Sequence, residues 1–335
     1  AYEKMTSLKK KHPHLKVLIS MGGWARTHEN YSIVAESPAK RKDFIASVVE
    51  FIRKYNFDGF DLHWQYPTEQ RGVPDDKQNF VYMIKELKEE FVNQGKQWLL
   101  TAPIGVMPDT IEGAYIIPEV TKYLDYMFAL CYAYHGYWDK KTGPNAPLKP
   151  SIAGDKLNVE ESIKELLRRG AQREKLVLGL PLYGRNFNLE NEKDTEGFGS
   201  PTVGEGFTGP YVQEQGTYGY NEICYELGRT YSNWIVHWDT VTHTPYMTYK
   251  EKFMSYDNEK SLTEKVQFAL NKKLAGVVAY SLDTDDFRGS CAFDKSGPVD
   301  YPLMRAINKA FTIAHGAQEP CENVYKHKPI SNDVR

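Results

Sequence analysis

The run Asp58-Gly59-Phe60-Asp61-Leu62-His63-Trp64-Gln65-Tyr66-Pro67 carries the most information in this chain. It follows a helix end at Lys54-Tyr55-Asn56-Phe57 and reads as a β-strand over 57–63. Side chains alternate faces along a strand. Phe57, Gly59, Asp61, His63 and Gln65 then share one face, and Phe60, Leu62 and Trp64 the other. The second face is apolar and fits against covering helices. The first carries a column of polar groups, which is costly to bury unless it faces a cavity or finds partners. In a parallel barrel the C-terminal end of a strand opens at the mouth, so His63 and Gln65 are expected there. An amide does not ionise near neutral pH and cannot hand over a proton.

Working outward, β-like and helical patterns alternate. Val17–Ser20 reads as a short strand. Ser37-Pro38 supplies an N-cap and a first-turn proline for a helix carrying Phe44, Ile45, Val48, Phe51, Ile52 and Tyr55. A helix from Asp76 places Phe80, Ile84, Leu87 and Phe91 on one face and stops at Gly95. Strands are expected at Trp98–Ile104, Tyr126–Tyr132, Leu176–Leu180 and Gly276–Ser281. Asn158 with Glu161, and Ser261 with Glu264, resemble capping boxes. The stretch 186–256 breaks the alternation. It is rich in Gly, Tyr and Pro, with β-like runs at Trp234–Thr240 and Pro245–Lys250.

Five segments, in this order, resemble the family 18 glycoside hydrolases, the chitinases and chitinase-like lectins. Ser20-Met21-Gly22-Gly23-Trp24 resembles the signature ending that family's third barrel strand. Asp58, Asp61, His63 and Gln65 stand where the family has Asp-x-x-Asp-x-Asp-x-Glu on its fourth. Leu130–Gly136, Leu176–Arg185 and Ala279–Phe287 resemble the sixth, seventh and eighth.

The fold this implies is α/β, a TIM (β/α)8 barrel with a small α+β insertion domain. Residues 1–185 would hold strands three to seven, 186–256 the insertion, 257–315 the last helix-strand-helix, and 316–335 a polar tail. Only residues 1–16 precede the strand that resembles the third, so strands one and two are expected to be missing from this chain. A barrel lacking two strands has exposed edges.

The departures from the family concern chemistry. The catalytic Glu is replaced by Gln65, and the Asp that orients the substrate acetamide by His63. Ala133 replaces an Asp, and Tyr280 replaces the Trp that floors the cleavage subsite. The family's catalysis is substrate-assisted: the acetamide oxygen attacks while the Glu protonates the leaving oxygen. General acid catalysis contributes about 10²- to 10⁴-fold, so its loss removes most useful turnover. No catalytic residue is then intact. Imidazole as a group can carry a proton near neutral pH, but His63 sits two residues too early to reach the same oxygen. Gln65 can hydrogen-bond a glycosidic oxygen, or simply satisfy Tyr132 or other buried polar groups.

Trp24, Tyr66, Trp138 and Tyr280 match groove positions of the family, and Tyr132, Tyr183 and Arg185 match positions that hydrogen-bond the sugar. Each has a plain packing alternative, since large aromatics are commonly buried. Arg185 could equally be tied to a carboxylate such as Asp61.

The chain has 335 residues, with 42 basic against 44 acidic and a formal charge of −2. Lys9-Lys10-Lys11 and Lys40-Arg41-Lys42 are too short for a nucleic-acid stripe. No apolar run is long enough to span a membrane. No cofactor is implied. His12 with His14 and His237 with His243 lack a matching zinc set, so no metal is expected. Of four cysteines, Cys224 and Cys291 match a disulfide of the resembled family. Cys131 reads as a free core thiol, and Cys321 could pair elsewhere. Asn30-Tyr31-Ser32 is an N-glycosylation sequon, with weight if the chain is secreted, as the resemblance implies.

The expectation is a secreted, extracellular, non-hydrolytic binder of chitin or chito-oligosaccharide-type glycans. The alternatives are a protein-binding scaffold or signalling factor with a vestigial groove, and a weak chitinase.

Overall fold

A computed structural model describes residues 1–24, 29–194, 197–228, 232–290, 293–294, 297–314 and 316. Five parallel strands follow one another: β1 (Leu18–Gly22), β2 (Gly59–His63), β3 (Leu99–Ile104), β4 (Tyr126–Ala129) and β5 (Leu176–Pro181). Parallel neighbours need long crossovers, and helices fill them. Pro38–Tyr55 joins β1 to β2, Asp76–Asn93 joins β2 to β3, and Val159–Arg168 precedes β5. The first and last of these carry the expected N-caps, although no reciprocal bond from Glu161 completes a capping box among the described residues. Ser37 accepts from the Lys40 amide at 3.4 Å, and Asn158 accepts from the Glu161 amide at 2.9 Å.

β2 lies at the centre of this packing. Phe60, Leu62 and Trp64 are buried against the helices. Trp64 stacks on Tyr31 from the helix Glu29–Ala35 at 5.2 Å and meets Phe80 edge-on at 6.1 Å. Gly59 permits the close approach to β3: a Cβ there would stand 2.1 Å from the Leu99 carbonyl oxygen. Phe57 departs from the expected alternation. The strand starts at Gly59, and Asn56 takes a left-handed φ of 57° that turns the chain back. Phe57 therefore packs outward against Phe51 and Tyr2.

The break in the pattern after β5 is a second, antiparallel sheet. Its strands are β6 (Tyr183–Leu189), β7 (Thr202–Val203), β8 (Thr217–Gly219), β9 (Ile235–Asp239), β10 (Thr244–Tyr249) and β11 (Lys252–Ser255). They run in the order β7-β6-β11-β10-β9, with β8 also on β6. Phe187, Leu189, Tyr246 and Phe253 form its own small core. Tyr183 and Arg185, assigned from sequence to the barrel's 1–185 segment, are carried by the first strand of this sheet.

The chain then returns through the helix Glu259–Asn271 to β12 (Gly276–Tyr280), parallel to β5. The helix cap differs from expectation. Asn258, not Ser261, is the N-cap: it accepts from the Ser261 amide, and Ser261 Oγ accepts from the Asn258 amide, both at 3.0 Å. The same helix presents Lys265, 1% exposed, to Asp257, 2% exposed, in a buried ion pair. Ser261 Oγ also donates to Asp257 Oδ1 at 2.6 Å, while Asp257 Oδ2 has no hydrogen-bond partner among the described residues. The helix Pro302–Ala314 packs on it.

Among the described residues the parallel sheet is six-stranded, β1-β2-β3-β4-β5-β12, in a TIM-barrel-like arrangement with the antiparallel sheet inserted before its last strand. β1 and β12 are its edges, and both are more exposed than the strands between them. No helix among the described residues is long and apolar enough to cross a membrane. Cys224 is disulfide-bonded. Cys291 and Cys321 lie outside the described residues, as do 317–335 of the tail. Asn30 is exposed on the helix Glu29–Ala35, whereas Ser32 of the same sequon is buried and donates to Asp76.

Candidate functional site

Strand register assembles the site. Ser20 on β1 lies beside Asp61 on β2, Gly22 beside His63, and Asp61 beside Thr101 on β3. Residues paired across parallel strands project to the same face, so these side chains form one polar row.

Asp58 lies outside that row. It sits at the base of β2, accepting from the Val17 amide at 2.8 Å and pairing with Lys9 at 3.1 Å. Its role is to anchor the strand's lower end.

Asp61 is buried with both oxygens engaged. Oδ1 accepts from Thr101 Oγ1 at 2.8 Å. Oδ2 accepts from Ser20 Oγ at 2.6 Å and faces His63 Nδ1 at 3.1 Å. It does not hold Arg185. That guanidinium hydrogen-bonds Thr217 and lies 3.7 Å from Glu214. The reason is its place on β6, where its neighbours come from the inserted sheet.

Gln65 lies beyond the strand's last residue and is 8% exposed. Its amide lies near enough to the Tyr66 hydroxyl to oppose the rise in that group's pKa, and no hydrogen bond from it to Tyr132 is seen among the described residues. Burial pushes the Tyr66 hydroxyl well above its ordinary value, Glu69 and Tyr183 add to the rise, and Gln65 opposes it. The Gln65–Tyr66 and Tyr280–Ser281 peptides are both cis.

A tyrosine cluster faces this end. Tyr132 and Tyr280 stack at 5.9 Å, and Tyr183 meets them edge-on at 5.9 and 6.4 Å. Burial drives the Tyr132 hydroxyl well up, and pushes that of Tyr183 up to about 12 against the pull of Arg185. Both stay neutral in ordinary buffers and can donate as well as accept hydrogen bonds. Arg185 spans from Tyr183 to Trp138, its guanidinium 5.5 and 5.3 Å from the two rings. Trp138 and Tyr280 are about half exposed, at 48% and 51%. Trp24 is 63% exposed and makes no ring contact among the described residues. The structure thus gathers Tyr66, Tyr132, Trp138, Tyr183, Arg185 and Tyr280 around one region, with Trp24 exposed beyond the end of β1.

One supporting residue carries no sequence signal. Asn145, fully buried, donates to the Tyr183 carbonyl at 3.0 Å and accepts from the Ala133 amide at 3.1 Å. Its own amide N–H donates to Ser255 Oγ at 2.8 Å. It lies in the loop 143–147, which has neither helical nor strand periodicity.

Cys131 is the free, buried thiol expected from its strand pattern. Burial pushes its pKa up to about 12, so thiolate is scarce at mildly alkaline pH. Iodoacetamide is expected to leave Cys131 unmodified in the folded protein and to label it quantitatively in urea. Mass spectrometry of tryptic peptides checks this; rapid labelling of the native protein would contradict the burial. Among the described residues no group of His, Cys, Asp and Glu is placed to hold a metal ion.

The molecule thus combines an α/β barrel-like sheet, an antiparallel insertion and an aromatic region at the C-terminal strand ends. The family model for glycosyl hydrolases family 18 matches residues 1–285, and the chain belongs to that family. It is similar to a Drosophila melanogaster protein described as probable chitinase 2, 44% identical over 93% of this chain and 68% of that protein. Among solved structures it is similar to Ostrinia furnacalis Group IV chitinase in complex with allosamidin, with a TM-score of 0.87 and 38% identity. That match covers 95% of this chain and 84% of the other. It is also similar to human YKL-39, described as a pseudo-chitinase with retained chitooligosaccharide binding properties. There the TM-score is 0.84 and the identity 32%, over 92% of this chain and 84% of the other.

Proposed function

We propose that this chain is a secreted, chitinase-like protein that binds chitin or N-acetylglucosamine-containing glycans without hydrolysing them. The observation that carries this reading is the pairing of Gln65 with a fully engaged Asp61. The amide has no proton to give. The carboxylate two positions before His63 already accepts from Ser20 and Thr101 and faces the His63 ring, so it is committed to the scaffold. The aromatic and tyrosine cluster supports binding, because ring faces stack on pyranoses and neutral hydroxyls meet sugar oxygens. The retained oligosaccharide binding named for the human pseudo-chitinase points the same way.

The test is calorimetric titration with N-acetylchitotetraose beside a fluorogenic chitobioside assay. Binding heat with no turnover is expected. Absence of both heat and competition would overturn the reading. Ala133 and Tyr280 favour a second reading, since each removes a sugar contact that the family's usual residue makes: the chain acts on a protein partner and the groove is vestigial. Retention on an immobilised partner but not on chitin would select it.

A further inference from the structure

The sequon Asn30-Tyr31-Ser32 lies within the helix Glu29–Ala35, and that helix divides it. Residues two apart on a helix stand about 200° apart around its axis and do not face each other. Asn30 is exposed, while Tyr31 and Ser32 are each only 7% exposed. Both buried members are tied down. Tyr31 stacks on Trp64 at 5.2 Å, and its hydroxyl donates to the Met21 carbonyl at 2.6 Å. Ser32 Oγ donates to Asp76 Oδ2, which also accepts from the Val73 amide at 2.8 Å. Asp76 is fully buried, and its Oδ1 has no partner among the described residues. Withdrawing the Ser32 hydroxyl would leave a buried carboxylate with still fewer donors, so the fold resists it.

N-glycosylation needs both ends of the sequon at once. The Asn30 amide nitrogen attacks the anomeric carbon of a lipid-diphosphate-linked oligosaccharide. A C–N bond forms as the C–O bond to the diphosphate breaks. The lipid diphosphate departs, and one amide proton passes to a base of the transferase. The transferase recognises the Ser hydroxyl during this step. In the folded chain Asn30 is at the surface and that hydroxyl is in the core, so one enzyme cannot reach both.

We propose that Asn30 is an N-glycosylation site open only until the helix Glu29–Ala35 docks. Docking withdraws Ser32 onto Asp76, so the modified fraction records a race between glycan transfer and folding. A glycan already in place does not obstruct docking, because Asn30 stays outside. This rests on the secreted part of the reading above, since the transfer takes place in the secretory pathway.

The full chain, made without glycans in a bacterial periplasm, is given to a purified oligosaccharyltransferase and lipid-linked oligosaccharide in two ways: during dilution from urea, and after refolding is complete. A short sequon peptide is the positive control, and mass spectrometry of the Asn30 peptide reads occupancy. Occupancy is expected to be at least about tenfold higher in the first arm, because the refolded chain exposes Ser32 only through rare local opening. Ser32→Ala is expected to abolish transfer to Asn30 in both arms. The modified chain is expected to refold to the same urea midpoint as the unmodified one. Equal occupancy in both arms, none in either, or a modified chain that does not refold would overturn the proposal. Failure of the secreted reading shows separately, as absence of the protein from the medium of cells that make it, and leaves the two arms unaffected.

Discussion

The double variant Gln65→Glu, His63→Asp is expected to cleave a fluorogenic chitobioside at a rate roughly 10²- to 10⁴-fold above the parent, the usual worth of a positioned general acid. Hydroxyls that could meet the substrate are in place: Tyr132 and Tyr183 stand as neutral donors. Gln65→Glu alone is expected to recover only a small part. A catalytic acid must hold its proton near the working pH, and a neighbouring carboxylate favours that by like-charge repulsion. An imidazole at position 63 gives no such repulsion. Ala133→Asp, added to the pair, is expected to raise turnover further. Position 133 already has a φ of 55°, a conformation that Asp tolerates better than Ala. Initial rates of the parent, both single variants and the double variant decide the matter. Cleavage by the parent at an ordinary enzymatic pace would refute the non-hydrolytic assignment outright.

Lys265→Ala is expected to destabilise the fold by about 3–5 kcal/mol, since it strands a buried carboxylate without its counter-charge. The pair is almost wholly removed from solvent, and Asp257 Oδ2 already lacks a hydrogen-bond partner among the described residues. With the lysine gone, only Ser261 Oγ would remain on the other oxygen. Lys265→Met combined with Asp257→Asn is expected to cost much less. Methionine fills most of the volume, and the amide keeps an acceptor for Ser261 without a charge to compensate. Urea unfolding midpoints of the two variants check this. A loss below about 1 kcal/mol for Lys265→Ala would show that water reaches the site and the pair is not buried as described.

Much of this was legible in the residues because two periods carry it. The two-residue alternation placed Phe60, Leu62 and Trp64 against the helices, and helical spacing located the flanking helices with their caps at Ser37 and Asn158. Errors fell where the backbone leaves those periods. Phe57 follows a left-handed Asn56, so its face cannot be extrapolated from β2. β4 stops at Ala129 rather than Tyr132, because the chain begins to turn there before the positive φ at Ala133. The partners of Arg185 come from β8 and the loop 204–216, remote in sequence and without periodicity, so Asp61 looked equally plausible. The row Ser20, Asp61, His63 and Thr101 depended on cross-strand register, which one strand's pattern does not contain.

Asn145 has a mechanical consequence. Its side-chain amide clasps the turn after β4 and the start of β6, and its backbone N–H holds the end of β11. The inserted sheet is therefore pinned to the loops of the parallel sheet like a mortised joint rather than hung as a jaw. For the glycan binding proposed above, residence time would then scale with the number of sugar rings seated rather than with any swing of the inserted sheet.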